Sequence, residues 1–248
     1  MRSRLPQAIL FDLDDTIIAY DAHTDALWKS VCDRFAPCLH SHSAEELFQA
    51  IHKTADWFWS DPERHLRGRM NLPTARREIM TIVLDGLGIK ASDLAMRIAD
   101  TYSDEREDWT FLIPGAKETL DLLKEHQIKL ALVTNGSAES QRRKIQKFGL
   151  EPFFDYILIE GEYGFGKPNR RVFEHTVTML GVPAGQAWMV GDNLEWEISV
   201  PQQLGMFAVW VDWRNQGLPS QSAVTPDLIV GSIARLPHHL GIRNSNGE

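Results

Sequence analysis

Three carboxylates, Asp12, Asp14 and Asp15, follow the apolar run Ala8-Ile-Leu-Phe11 and precede Thr16. Aspartate is a poor strand former and like charges this close repel, so the cluster needs a reason. Other short apolar runs also end in polar groups. Thr134, Asn135 and Gly136 open a helix at Ser137, the loop GEYGFGKP carries Lys167, and Gly191 leads into Asp192 and Asn193. Clustered carboxylates invite a hard, oxygen-preferring cation such as Mg²⁺, whose charge offsets theirs. A hydroxyl, a helix N-terminus and a lysine make an anion site opposite it. A dianionic phosphate monoester fits between the two, where fixed charge favours phosphoryl transfer. An unhydrated aspartate beside phosphorus can attack it, and a second carboxylate two residues on can move the proton. Asp12 and Asp14 have that spacing, whereas Asp15 points to the other side of the strand and reads as a bystander.

The elements that must hold these groups are legible as apolar runs at 8–11, 129–134, 156–159, 187–190, 207–211 and 228–231. They are apolar on both faces, as parallel strands covered by helices are. Helical patterns at 137–148 and 169–180 lie between the later runs. Strand and helix alternate from residue 113 onward, which predicts a doubly wound α/β sheet. Sites in such sheets form beyond the carboxyl ends of the strands, where every polar group named above falls.

Residues 22–109 have a different texture, with helical periodicity and little strand signal. Ser43-Ala-Glu-Glu46 fits a capping box, and Leu47, Ile51, Thr54 and Phe58 recur at helical spacing. Trp28, Trp57, Trp59 and Trp109 supply bulk for a small core. The expected organisation is an α/β catalytic core from 1–20 and 113–248, with an inserted helical cap at 21–112. The tail PHHLGIRNSNGE is polar and expected to fray.

Composition narrows the partners. A net charge of −8 argues against nucleic acid and anionic membrane surfaces. Two cysteines make no disulfide framework, no signal-peptide pattern completes before Asp12, and no run has membrane-spanning length. The expected compartment is the cytoplasm.

Asp12-Leu-Asp14-Asp-Thr16, Thr134, Lys167-Pro168 and Gly191-Asp192 stand in the order of the four motifs of the haloacid dehalogenase superfamily, and the chain resembles that family over 5–20 and 113–236. The insertion resembles the family's first type of cap, placed between motifs one and two. The resemblance implies a Rossmann-like parallel sheet of order 5-4-1-2-3 and a Mg²⁺-dependent phosphatase. It makes Asp12 the nucleophile and Asp14 the acid/base, and it places Thr134, Asn135 and Lys167 on the substrate phosphate. Mg²⁺ would take Asp12, the backbone carbonyl of Asp14, and Asp192. Asp14 disfavours the metal-free dehalogenating branch, which usually lacks it. Motif four usually carries a second aspartate, and here Trp196 and Glu197 stand in its place. Glu197, one methylene longer, would orient the metal loop rather than ligate.

Singly, each motif has a bland reading as a turn, a cap or a solvated lysine; their joint order after strands favours the functional one. Gly161-Glu-Tyr-Gly-Phe-Gly166-Lys167 has P-loop spacing but ends in Pro168, without the metal-binding hydroxyl. Cys32, Cys38, His40 and His42 match no standard zinc spacing and read as a buried thiol with solvated histidines. Arg142-Arg143-Lys144 reads as a solvated helix face. The expected activity is hydrolysis of a small phosphorylated metabolite under a closing cap, with Trp57, Trp59, His65, Arg67 and Arg69 as candidate leaving-group contacts. The competing functions are a phosphoryl-transferring mutase and a non-catalytic phosphate- or metal-binding protein. A receiver domain is disfavoured by the position of the acids and by the long insertion.

Overall fold

The computed structural model describes residues 5–39 and 41–242, so His40 and the tail from residue 243 lie outside the described residues. Six strands form one parallel sheet: β1 (Ala8–Phe11), β2 (Lys129–Thr134), β3 (Tyr156–Ile159), β4 (Ala187–Gly191), β5 (Phe207–Val211) and β6 (Leu228–Val230). Their order is β3-β2-β1-β4-β5-β6. Read from the other edge, the first five run 5-4-1-2-3 as expected, with β6 added outside β5. β1 is central, and Ala8 stands opposite both Lys129 and Ala187.

Alternate residues of each strand feed two separate cores. Ile9, Phe11, Leu130 and Leu132 pack on one face with Leu120 and Leu123 of the helix Ala116–Glu125. Ala8, Leu10, Ala131 and Val133 pack on the other with Phe173 and Val177 of the helix Arg170–Leu180. Both faces are dry, which is why these runs show no polar alternation. The expected helix at 137–148 is found as Ala138–Lys147, capped by the Ser137 side chain, which accepts from the Ser140 N–H at 3.2 Å.

The chain divides into two compact units, one running up to Ala19 and from Leu112 on, the other spanning Tyr20–Phe111. The second is helical: Thr24–Phe35, Ala44–Ser60, Pro62–Met70, Leu72–Gly86 and Ser92–Trp109. The capping box forms, since the Ser43 Oγ accepts from the Glu46 N–H at 3.1 Å and the Glu46 carboxylate accepts from the Ser43 N–H at 2.7 Å. Leu47, Ile51 and Phe58 are buried in this unit's core as the spacing predicts.

The tryptophans divide differently from expectation. Trp28 is buried and stacks on Tyr102 with ring centroids 3.7 Å apart. Trp57 is 50% exposed and Trp109 39% exposed, so neither belongs to the core. The Arg64 guanidinium lies over the half-exposed Trp57 ring at 3.9 Å, a flat cation covering an indole at the surface. Cys32 is buried as read, but His42 is not simply solvated: its Nε2 lies 2.9 Å from the Leu87 carbonyl oxygen.

Phe173 is fully buried beneath the sheet. Phe173→Ala should cost about 3–5 kcal/mol, read as a lowered urea midpoint. Ser43→Ala, which removes one helix cap, should cost only about 1 kcal/mol.

Candidate active site

The carboxyl ends of β1, β2 and β4, with the loop after β3, converge on one edge of the sheet. Asp12 continues from β1, its N–H donating to the Val190 carbonyl at 2.9 Å. Lys167 arrives from the far side and is 1% exposed. Its Nζ donates to Asp12 Oδ1, and to Glu197 Oε1 at 2.6 Å. The other Glu197 oxygen accepts from the Asn193 N–H at 2.8 Å. A buried lysine with a carboxylate on either side is a compensated charge, because each ion's desolvation is offset by its neighbours.

The lysine is pinned through its backbone. Its N–H donates to the Asn135 Oδ1 at 2.7 Å, and the Asn135 Nδ2 donates to its carbonyl at 2.8 Å. Each polar end of the Asn135 side chain therefore makes one bond that holds the lysine loop, a contact its expected place on the phosphate did not include. Gly166 is required beside this clasp, since a Cβ there would lie 2.4 Å from the Glu160 carboxyl carbon and 2.7 Å from Asn135 Oδ1. Glu160 is itself buried and accepts from the Gly136 N–H at 2.9 Å, tying the loop after β3 to the loop after β2. Gly191 is required in the same way, because a Cβ would stand 2.0 Å from Glu197 Oε2.

One carboxylate oxygen each of Asp12, Asp192 and Glu197 can be chosen so that all three lie within 4.8 Å of one another. Crowding and burial raise two of them, Asp12 and Asp192, above the usual carboxylate range. Asp12 is raised to about 7 by burial and by the charges of Glu197 and Asp14, against the opposing pull of Lys167. Asp192 is raised to about 9 by burial, Glu197, Asp12 and Asp15. Burial alone would weaken the Lys167 ammonium, but Asp12 and Glu197 outweigh it and hold its pKa above the ordinary value. An all-oxygen donor set under mutual repulsion suits a hard divalent cation.

Three groups differ from their expected surroundings. Glu197, expected behind the metal loop, is in direct contact with Lys167 and within ligand distance of Asp12 and Asp192. Its extra methylene lets it span from the helical turn Leu194–Ser199 to the lysine. Asp15 is buried, adopts φ 58°, and takes an ion pair from the Arg214 Nη2 at 3.1 Å. Its charge contributes to raising Asp192. Lys144 leaves the solvated face assigned to it: its Nζ donates to both Asp14 oxygens at 2.8 and 2.7 Å. Arg142 and Arg143 do stay on that face, paired with Glu162 and Glu139. Thr134 is buried, and its Oγ1 accepts from the Gln141 Nε2, which leaves the hydroxyl hydrogen free to donate elsewhere.

A doubly wound parallel sheet with acids at the central strand, a hydroxyl on the next and a buried lysine from a third loop defines a class of α/β hydrolases. The sequence model of the haloacid dehalogenase-like hydrolases matches residues 6–205, and the chain belongs to that family. It is similar to a phosphoserine phosphatase of Thermus thermophilus, 37% identical over 144 residues, which covers 58% of this chain and 56% of that protein, so the match spans about half of the relative's length. It is also similar to a ribulose-1,5-bisphosphate 5-phosphatase of Halopiger xanaduensis, 27% identical over 221 residues, covering 87% and 89%. Its fold matches that of the HAD-hydrolase YfnB from Bacillus subtilis, solved bound to magnesium, with TM-score 0.71 and 23% identity over 96% of this chain and 100% of that one. Among the described residues no helix is long and apolar enough to cross a membrane.

The raised carboxyls have a signed consequence for the metal-free protein. An acid whose pKa rises on folding adds stability below its ordinary value, and that stability is lost as pH climbs through the raised one. The melting temperature of chelator-treated protein should therefore fall between pH 6 and 9, spanning the values of about 7 and about 9. Asp192→Asn should flatten the fall, and a saturating divalent cation should restore the melting temperature at the alkaline end. Differential scanning fluorimetry across that range reads all three.

Proposed function

We propose that the chain is a Mg²⁺-dependent phosphatase that hydrolyses a small phosphate monoester through an aspartyl-phosphate intermediate. The observation that carries the reading is Lys167, buried between Asp12 and Glu197 with Thr134 on the adjacent strand end. These are an attacking carboxylate and two donors for an anion, all three buried at one edge of the sheet. The named phosphatases among its relatives support a phosphate ester as substrate.

In this reading the Asp12 carboxylate attacks phosphorus, forming a phosphorus–oxygen bond to Oδ while the bond to the leaving alcohol breaks. The Asp14 carboxyl delivers its proton to the departing alkoxide, which leaves as the neutral alcohol. Water then attacks the phosphorus of the aspartyl phosphate, Asp14 takes the water's proton, and Asp12 is freed as inorganic phosphate departs. Thr134 Oγ1–H and the Lys167 ammonium donate to the phosphate oxygens that carry the developing charge. Asn135 acts one step back, fixing the lysine loop through the two bonds described above. Asp12, Asp192 and the Asp14 backbone carbonyl would hold Mg²⁺, which when bound supplies positive charge against both the phosphate and the crowded acids. Glu197 balances Lys167, so that the lysine remains an ammonium when a dianion arrives.

The core is assigned to 1–20 and 113–248 and the cap to 21–112, with the cap selecting the leaving group. The working partner is a small phosphorylated metabolite, with no part for nucleic acid or membrane, in the cytoplasm.

The test is phosphate release from a panel of phosphorylated metabolites, sugar phosphates, nucleoside monophosphates and phosphorylated sugar acids among them. Release should require Mg²⁺ and disappear with chelator, and Asp12→Asn should lower it by ~10⁴-fold or more. Turnover that ignores Mg²⁺, or survives in Asp12→Asn, would overturn the mechanism. A folded, Mg²⁺-loaded protein that turns over nothing in the panel would favour a binding protein.

A further inference from the structure

The helix Ala138–Lys147 carries two side chains that no motif accounts for. Gln141 and Lys144 are three residues apart, so both project from one face. Gln141 is 2% exposed, and its Nε2 donates both to Thr134 Oγ1 and to Asp14 Oδ2, the latter at 3.1 Å. The Lys144 side chain is 13% exposed and donates to both Asp14 oxygens. Asp14 thus meets three directed donor contacts from a single helix, and Gln141 joins it to the hydroxyl one strand away. A solvated helix face would show none of this. The two side chains instead spend rotamer freedom, which only a fixed geometry returns.

We propose that Gln141 and Lys144 are positioning residues for proton transfer: together they fix the rotamer of Asp14 and its register with Thr134. The inference rests on the reading above, in which Asp14 protonates the leaving oxygen. Both act through Asp14, and Gln141 through Thr134 as well, rather than through the substrate itself. Lys144 anchors the carboxylate through an ion pair in a half-buried setting, where a directed pair keeps its orientation better than at an open surface. Gln141 is a rigid spacer with one amide nitrogen shared between two acceptors. If its amide is lost, Thr134 and Asp14 can move independently, and misplacement on the ångström scale is enough to cost ~10²-fold in rate.

Leaving groups separate this role from a general structural one. p-Nitrophenolate departs without a proton, whereas an alkoxide does not, so only the alkyl ester needs a well-placed acid. The experiment compares kcat/KM for p-nitrophenyl phosphate with that for the alcohol monoester turned over fastest in the panel above. The variants are Lys144→Met, Gln141→Leu, Lys144→Arg and Asp14→Asn, each with a melting curve to confirm folding.

The expected result is a ratio of alkyl to aryl kcat/KM that drops about 10- to 100-fold in Lys144→Met and in Gln141→Leu. Lys144→Arg, which keeps a cation on Asp14, should recover most of the ratio, and Asp14→Asn should show the same drop in larger measure. Equal losses on both esters, or none on either, in Lys144→Met and Gln141→Leu while Asp14→Asn still discriminates would overturn the positioning role and leave the mechanism standing. No discrimination in Asp14→Asn itself would overturn the acid role and this inference with it. Should Lys144→Met fail to fold, the Gln141→Leu and Lys144→Arg ratios decide.

Discussion

A single buried cation holds this site together. Lys167 is enclosed by two carboxylates at the end of a sheet that is otherwise apolar on both faces. An ammonium there is tolerable only with Asp12 and Glu197 in place, and two carboxylates so near Asp192 are tolerable only with the ammonium between them. The loops follow from that constraint. Asn135 clasps the lysine backbone, Glu160 ties the neighbouring loop to Gly136, and Gly166 and Gly191 are small because the carboxyls of Glu160 and Glu197 occupy the space a methyl group would need. Even so the balance is one positive charge against three nearby acids, and the raised Asp12 and Asp192 express the deficit. A divalent cation would complete it, and the dianion of a phosphate monoester would in turn satisfy the cation.

The sheet was legible in the sequence because burial on both faces leaves uninterrupted apolar runs, and six of them lie within one residue of the observed strands. The meeting of site residues was legible where it depends on a place at or beyond a strand end, as with Asp12, Thr134, Lys167 and Asp192. It was not legible where a role depends on which way a side chain turns on a helix. Lys144 sits in a basic triplet that looks uniformly solvated, and only the helix's rotational setting shows that it meets Asp14 while Arg142 and Arg143 meet acids in solvent. Gln141 gives no charge signal at all. Asn135 follows Thr134 directly and so invites the same role, and nothing in the sequence announces its clasp on the lysine loop.

Glu197 shows why departures from a familiar pattern are worth following into three dimensions. A glutamate five residues after Asp192 looks like a weakened substitute for an aspartate. Here the wide turn Leu194–Ser199 carries it, and the longer side chain reaches both the lysine and the Asn193 N–H. The pattern of residue types changed while the compensation of charge was kept. A similar exchange shows in the helical unit, where Trp57 is stacked under Arg64 instead of being packed in the core.

The central position of β1 has a consequence for how the molecule is made. Its four apolar residues leave the ribosome well before their partners, since those on β2 are about 120 residues further along and those on β4 come later still. Until then the strand that leads into Asp12 has two open edges and two bare faces, the condition in which chains aggregate. The helical segment emerges in that interval, and its contacts are local enough to fold on their own schedule. Synthesis therefore delivers the helical unit before the sheet is complete, and the acids that follow β1 stay unassembled until the strands that enclose them have arrived.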